Sequence, residues 1–281
     1  MVNFSCIKNK IYININKEGG VNMVIGIGQI DIIWENELIN MNKVETLIKE
    51  ASRKNVELIL FPEMTLTGVT LNINKLTLSQ DKIIEWCREL AIKNNINIGL
   101  GYGKKIDSKA LNNYLIISNF GEVISDYTKI HLFTYGGEPK AYHNGMNIQN
   151  YKIGQFSLAS FICYDLRFPE IFQVAARNTQ AITVAANWPK SKIEEWISFL
   201  KVRALETQSY IIGINRLGEG DGIKYNGQSA IVSPWGEILN DLSDKEELII
   251  QEIKLEQVFK SRAKFNVKDD RREDLYKKYY S

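Results

Sequence analysis

Cysteine and histidine are scarce in this chain, and each scarcity removes a class of function. Three cysteines (Cys6, Cys87, Cys163) in 281 residues make no disulfide framework, and no C-x-x-C or Cys/His spacing suggests a zinc site. A free thiol suits a reducing compartment, so a cytoplasmic location is expected. Only two histidines exist, His131 and His143; their number leaves a Cys-His hydrolase open, but no pattern of that kind surrounds them. Charge of one sign is missing as well. Lysine and arginine (35) nearly balance aspartate and glutamate (33), and a net +2 gives no general attraction to nucleic acid or membrane surfaces. No apolar run approaches the roughly 18 residues of a membrane span. Pro/Ser-rich linkers, charge blocks, heptads and short-period repeats are all lacking, so nothing marks a domain boundary.

What is present is a globular composition, 44% hydrophobic and 24% charged, with an alternating pattern of strands and helices. Residues 24–30 read as a buried strand and Asn36 to Arg53 as an amphipathic helix. A second buried strand covers 56–61, a helix covers 81–94, and strands follow at 96–102, 111–119 and 121–128 with a hairpin connection at Asn119-Phe120-Gly121-Glu122. The second half repeats the order. A strand at 156–163 leads to a helix starting near Pro169, then a strand at 180–186 and a long helix at about 192–208. Strands at 209–215, 227–233, 236–241 and 247–253 complete it. Continuous apolar strands alternating with helices imply sheets covered by helices on at least one face. The glycine clusters at 99–103 and 218–222 precede no helix and fit neither a dinucleotide site nor a P-loop.

Residues 1–22 look foreign to this pattern. They lack the continuous apolar region of a signal peptide. Lys17-Glu18-Gly19-Gly20 is encodable as a bacterial ribosome-binding sequence a few codons ahead of Met23. The expectation is a non-native leader or disordered extension over 1–22 and one domain over 23–281.

Three stretches each end an apolar run and each supply one reactive side chain. Phe61-Pro62-Glu63-Met64 delivers a carboxylate, and desolvation beyond a buried strand makes a carboxylate a better base; a capping glutamate is the alternative. Tyr127-Thr128-Lys129-Ile130-His131-Leu132-Phe133 delivers an amine, either a solvated strand-end lysine or a cation placed for a developing oxyanion. Phe161-Ile162-Cys163-Tyr164-Asp165-Leu166-Arg167-Phe168-Pro169-Glu170 delivers a thiol where the chain must leave its sheet and turn, with backbone N–H groups nearby; inert packing is the alternative there. Cys87 lies on the apolar face of a helix and takes the inert reading. An acid, an amine and a thiol together can attack an amide carbonyl, move its protons and stabilise its oxyanion.

In this order, with 66 residues from Glu63 to Lys129 and 34 from Lys129 to Cys163, the stretches resemble the Glu, Lys and Cys signatures of the nitrilase (carbon-nitrogen hydrolase) superfamily. The resemblance runs from about Met23 to Arg271-Arg272-Glu273-Asp274-Leu275-Tyr276. It implies an α/β fold, a four-layer α-β-β-α sandwich. It also implies Glu63 as general base, Cys163 as nucleophile, Lys129 as the oxyanion cation and the Tyr164 N–H as a second oxyanion donor. A fourth carboxylate in the loop after the lysine best matches Glu138. Tyr-x-Lys-x-His-Leu-Phe, Cys-Tyr-Asp-Leu-Arg-Phe-Pro-Glu and Ala-Asn-Trp-Pro resemble the ω-amidase branch, which implies a 2-oxo acid ω-amide as substrate. Another small-amide hydrolase, an N-carbamoyl hydrolase or a catalytically idle relative are the alternatives. Arg167 is the first candidate to hold a substrate carboxylate, with a structural pair to Asp165 or Glu170 as its alternative. Phe133 and Trp188 are candidates for pocket walls or for core. Arg203, Glu206 and Arg216 read as structural pairs. No metal or organic cofactor is implied, and a homodimer formed through helices and residues 254–281 is.

A chain beginning at Met23 is expected to fold and act as the longer chain does. Thermal denaturation and assay of the two forms side by side check this, and a deletion that loses either property refutes it.

Overall fold

The computed structural model describes residues 20–280. Most of the expected leader, residues 1–19, lies outside the described residues. The first half of the chain is β1 (Asn22–Gln29), α1 (Glu37–Arg53), β2 (Leu58–Leu60), α2 (Gln80–Asn94), β3 (Asn97–Ile106), β4 (Lys109–Ile117) and β5 (Val123–Thr128). The second half begins with β6 (Asn150–Ile153), β7 (Phe156–Ile162), α3 (Pro169–Ala175), β8 (Ala181–Ala186), α4 (Ile193–Thr207) and β9 (Tyr210–Asn215). It ends with β10 (Leu217–Gly220), β11 (Ile223–Asn226), β12 (Ala230–Val232), β13 (Glu247–Lys254), α5 (Leu255–Lys264) and α6 (Glu273–Tyr280).

Two sheets form from these strands. One has the order β13-β1-β2-β3-β4-β5 and the other β12-β9-β8-β7-β6, while β10 and β11 pair only with each other. Strand periodicity sorts side chains into layers. Leu58 and Leu60 of β2, with Tyr114 and Ile116 of β4, join Leu158, Ala185 and Ile212 of the second sheet in one inter-sheet core. The alternate residues Ile59, Leu115 and Ile117 face outward against Val44 and Ile48 of α1 and Ile83 and Cys87 of α2. Phe172 of α3 and Trp196 and Leu200 of α4 cover the second sheet. The result is the expected α-β-β-α sandwich. Cys87 is buried in the α2 face, as read from its helical spacing. No helix among the described residues is long and apolar enough to cross a membrane.

The helix ends follow local chemistry. The Asn36 side chain accepts from the Ile39 N–H at the start of α1, and Ser79 accepts from the Lys82 N–H at the start of α2. Pro169 opens α3. Two expectations need correction. Residues 236–241 form no strand, because Ser233 to Gly236 turn the chain and only Ile238 bridges back to Val232. The glycine cluster at 218–222, which falls between the expected strands at 209–215 and 227–233, instead supplies most of β10 and the tight turn of the β10–β11 hairpin, with Asp221 and Gly222 both at positive φ (49° and 73°).

Direction matters more than order for the site. β1, β2 and β3 run parallel, and the antiparallel steps β3–β4 and β4–β5 return β5 to that direction. β7, β8 and β9 are parallel to one another. Residues just beyond the carboxyl ends of β2, β5, β7 and β8 are therefore the ones placed to meet. Gly101 in β3 makes this possible on the β2 side: a Cβ there would stand 2.5 Å from the Met64 nitrogen and Pro62 oxygen and 2.7 Å from the Glu63 Cα. The glycine at 99–103 thus serves close backbone approach.

Gly101→Ala should force the Glu63 loop away from β3. Overpacking of this kind costs about 1–3 kcal/mol or more, so thermal denaturation should show a clearly lower midpoint. A variant as stable as the parent would show that the loop does not need the space.

Candidate active site

Beyond β2 the chain passes Phe61 and Pro62 and turns at Met64, a non-glycine residue at φ +47°. That turn holds Glu63, fully buried, at the end of its strand. Beyond β5, Lys129 is 1% exposed. Its ammonium donates to Glu63 Oε1 and to Glu138 Oε1, both at 2.9 Å. The solvated alternative for Lys129 and the capping alternative for Glu63 are both absent from this geometry. Glu138 opens a short 3₁₀ turn after Gly137, whose φ of +79° reverses the chain. Its other oxygen accepts from the Phe133 N–H. Burial works against the lysine's charge, but Glu138 and Glu63 outweigh it and hold the ammonium well above the ordinary lysine range.

Glu63 has further partners. Oε1 also accepts from Asn112 Nδ2 at 2.8 Å, and Oε2 accepts from the Asn187 backbone N–H at 2.9 Å. The Asn187 side chain donates to the Glu63 carbonyl at 2.7 Å. Asn187 stands at the end of β8 in the opposite sheet, so this set of bonds joins the two sheets at the acid.

Cys163 follows β7 in a left-handed conformation, φ +45°, the first residue of a 3₁₀ turn through Arg167. A non-glycine residue held there marks a site that the surroundings over-determine. The partly exposed cysteine has its sulfur 3.9 Å from the Asn187 carbonyl oxygen. Desolvation pushes the thiol well above its ordinary range and the Glu63 charge adds to this; Lys129 works the other way, and Glu138 with Glu63. The resting sulfur is therefore a thiol that needs a base, and the groups in its field are Glu63, Lys129 and Glu138.

Asp165 explains how the turn is fixed. It is fully buried; Oδ2 accepts from the Tyr127 hydroxyl at 2.7 Å and the Ile162 N–H at 3.0 Å. Oδ1 accepts from the His131 N–H at 2.9 Å and faces His131 Nδ1 at 2.8 Å. One carboxylate thereby binds the strand carrying Lys129 to the turn carrying Cys163. His131 is committed to Asp165 and stacks on Phe168 with 3.7 Å between ring centroids, a structural placement.

The remaining candidates sort less evenly. Arg167 pairs with neither Asp165 nor Glu170; it meets Glu195 and lies over the Trp188 and Phe199 rings at 5.0 and 5.2 Å. A carboxylate arriving at Arg167 would compete with Glu195. Trp188 is 3% exposed, packs on Trp196 and donates its indole N–H to the Lys192 carbonyl, so it belongs largely to the core. Phe133 is exposed and packs on the Tyr164 ring at 5.1 Å, beside the Cys163 turn. Arg203 pairs with Glu206 at 2.9 Å as expected. Arg216 does not: it is fully buried, has no acid partner among the described residues, donates to the Ile32 and Leu217 carbonyls and sits 4.6 Å over Tyr225. Burial lowers its guanidinium to about 10. Asn112 and Asn187 are site residues that the sequence reading did not single out. Among the described residues, no group of three or more His, Cys, Asp or Glu side chains is placed to hold a metal ion.

Comparison with known proteins identifies the family. Residues 24–263 match the family model described as carbon-nitrogen hydrolase. The chain is 29% identical over 252 residues to the 2-oxoglutaramate amidase of Bacillus subtilis, spanning 88% of this chain and 97% of that one. It is 31% identical over 214 residues to omega-amidase YafV of Yersinia enterocolitica, covering 75% and 81%. Its fold is similar to that of XC1258 from Xanthomonas campestris, a CN-hydrolase superfamily protein solved with an arsenic adduct in its active site: TM-score 0.84, 22% identity, 89% and 97% covered. With its family signature matched over most of its length and its acid, amine and thiol gathered at the strand ends, the chain belongs to the carbon-nitrogen hydrolase family.

Proposed function

We propose that this protein is an ω-amidase, hydrolysing the side-chain amide of a 2-oxo acid such as 2-oxoglutaramate or 2-oxosuccinamate to the 2-oxo diacid and ammonia. The observation that carries the reading is the shared ammonium of Lys129 between two buried carboxylates in the field of the Cys163 thiol. The similarity to a 2-oxoglutaramate amidase and an omega-amidase supports the choice of substrate.

In the proposed cycle Glu63 takes the thiol proton as Cys163 attacks the amide carbon. Of the three ammonium protons of Lys129, two go to Glu63 and Glu138, and the third is available to the oxyanion. The Tyr164 N–H is the second donor. Glu63 then passes its proton to the departing nitrogen, ammonia leaves, and a thioester to Cys163 remains. Water enters, Glu63 accepts one of its protons, and the hydroxide adds to the thioester. Collapse expels the sulfur, which regains its proton from Glu63, and the 2-oxo diacid leaves. Atoms and charges balance over the cycle: one amide and one water give one acid and one ammonia.

Alanine at Cys163 and glutamine at Glu63 should each abolish ammonia release. Alanine at Lys129 removes an oxyanion donor, worth roughly 10²–10³ in rate, and also leaves two buried carboxylates without their cation. Alanine at His131 should retain activity in proportion to the folded fraction. Full activity without Cys163, or abolition only in the His131 variant, rejects the assignment. In a substrate panel, 2-oxoglutaramate should release ammonia and N-carbamoyl amines should not; the opposite preference replaces the ω-amidase with a carbamoyl hydrolase of the same family.

A further inference from the structure

Asn112 lies on β4 directly across from the end of β5, where its carbonyl accepts the Lys129 N–H at 2.9 Å. Its side chain therefore points to the same side as the lysine. Both protons of its Nδ2 are spent on the acids, one on Glu63 Oε1 at 2.8 Å and one on Glu138 Oε1 at 3.1 Å. Those are the two oxygens that Lys129 Nζ also holds. The four groups close a ring in which one ammonium and one neutral amide alternate with two carboxylates.

Counting charge explains why a second donor is needed. Two buried carboxylates face a single ammonium, and like charges so placed tend to share a proton rather than both ionise. The Asn187 and Phe133 N–H groups serve the outer oxygens, Oε2 of Glu63 and Oε2 of Glu138, but the titratable groups nearby add no second cation at the inner pair. Cys163 is a protonated thiol with its pKa raised; the Tyr142 hydroxyl, which senses both acids, is likewise pushed up by burial, and Tyr225 on β11 is raised to about 12. A further detail separates this residue from packing material. Asn112 Oδ1 is buried with no hydrogen-bond partner. A buried acceptor left unpaired is costly, and leucine of similar size would avoid it. The amide is held by its donor end alone.

We propose that Asn112 is a positioning residue for the base: its amide bridges Oε1 of Glu63 and Oε1 of Glu138, and the hydrogen bond it gives Glu63 holds that carboxylate ready to accept the Cys163 proton. The inference rests on the reading of Glu63 as that base, but it does not depend on which amide is hydrolysed.

The test is alkylation of Cys163 by iodoacetamide, followed by mass spectrometry across pH, in the parent, Asn112→Leu and Asn112→Ser. Leucine removes both donors; serine keeps one and guards against a leucine variant that fails to fold. Loss of a donor to a carboxylate raises its affinity for protons. The acid side of the rate profile should therefore move to higher pH by about one unit in the leucine variant, roughly ten-fold slower labelling at a given acidic pH, and in the same direction in the serine variant. The acid limb of kcat/KM for 2-oxoglutaramate should shift with it. Profiles that keep their midpoints while only the amplitude falls would make Asn112 a packing residue and overturn the inference, even with 2-oxoglutaramate hydrolysis intact. A shifted alkylation profile in a protein that releases no ammonia from 2-oxoglutaramate would support the inference and sink the substrate reading instead.

Discussion

The arrangement depends on one buried cation. Lys129 is enclosed between sheets, and an ammonium there survives only because Glu63 and Glu138 both reach it. Removing one partner from a buried pair of this kind costs about 3–5 kcal/mol, because the other charge is left uncompensated. The cluster therefore constrains the chain as well as the chemistry. It fixes the loop beyond β2, the end of β5 and the 3₁₀ turn at 138–140 against one another, three segments that no continuous element connects.

The second sheet is attached to this cluster by hydrogen bonds rather than by charge. Asn187, at the end of β8, gives its backbone and side-chain N–H groups to Glu63. Asp165, in the turn beyond β7, receives the Tyr127 hydroxyl and the His131 N–H from the lysine's segment. These contacts hold the thiol in the field of the ion cluster and keep Cys163 in a backbone conformation that L-residues seldom adopt. Burial makes the sulfur a poor spontaneous nucleophile, and in the proposed cycle the neighbouring acid is its proton acceptor. Stability and reactivity are thus settled by the same few contacts.

Much of this was legible in the sequence because the signals were local. Apolar side chains at helical spacing mark α1 and α2, Pro169 opens α3, and unbroken apolar runs ending at Glu63, Lys129 and Cys163 mark strands whose far ends carry chemistry. What escaped was short or non-local. β6 has only four residues, and the β10–β11 hairpin was hidden by glycines that disfavour strands, although Asp221-Gly222 is itself a turn signal. Residues 236–241 carry the apolar pair Ile238-Leu239, yet they lie where the chain is still turning. The partner of Arg167 is Glu195, 28 residues on, and no spacing rule links them. Asn112 left one trace, a polar side chain on the face of β4 that otherwise carries Ala110, Tyr114 and Ile116; Asn187 stood within the Ala-Asn-Trp-Pro motif without a local signal of its own.

The central claim is that these distant residues meet to carry out acyl transfer on one sulfur. The most direct measurement is the intact mass of the protein quenched in acid during turnover of 2-oxoglutaramate, with the modified peptide located by fragmentation. The account predicts an added acyl mass confined to the peptide containing Cys163, lost again when the amide is exhausted. Steady ammonia release with no adduct on Cys163, or with the adduct on another residue, would contradict it.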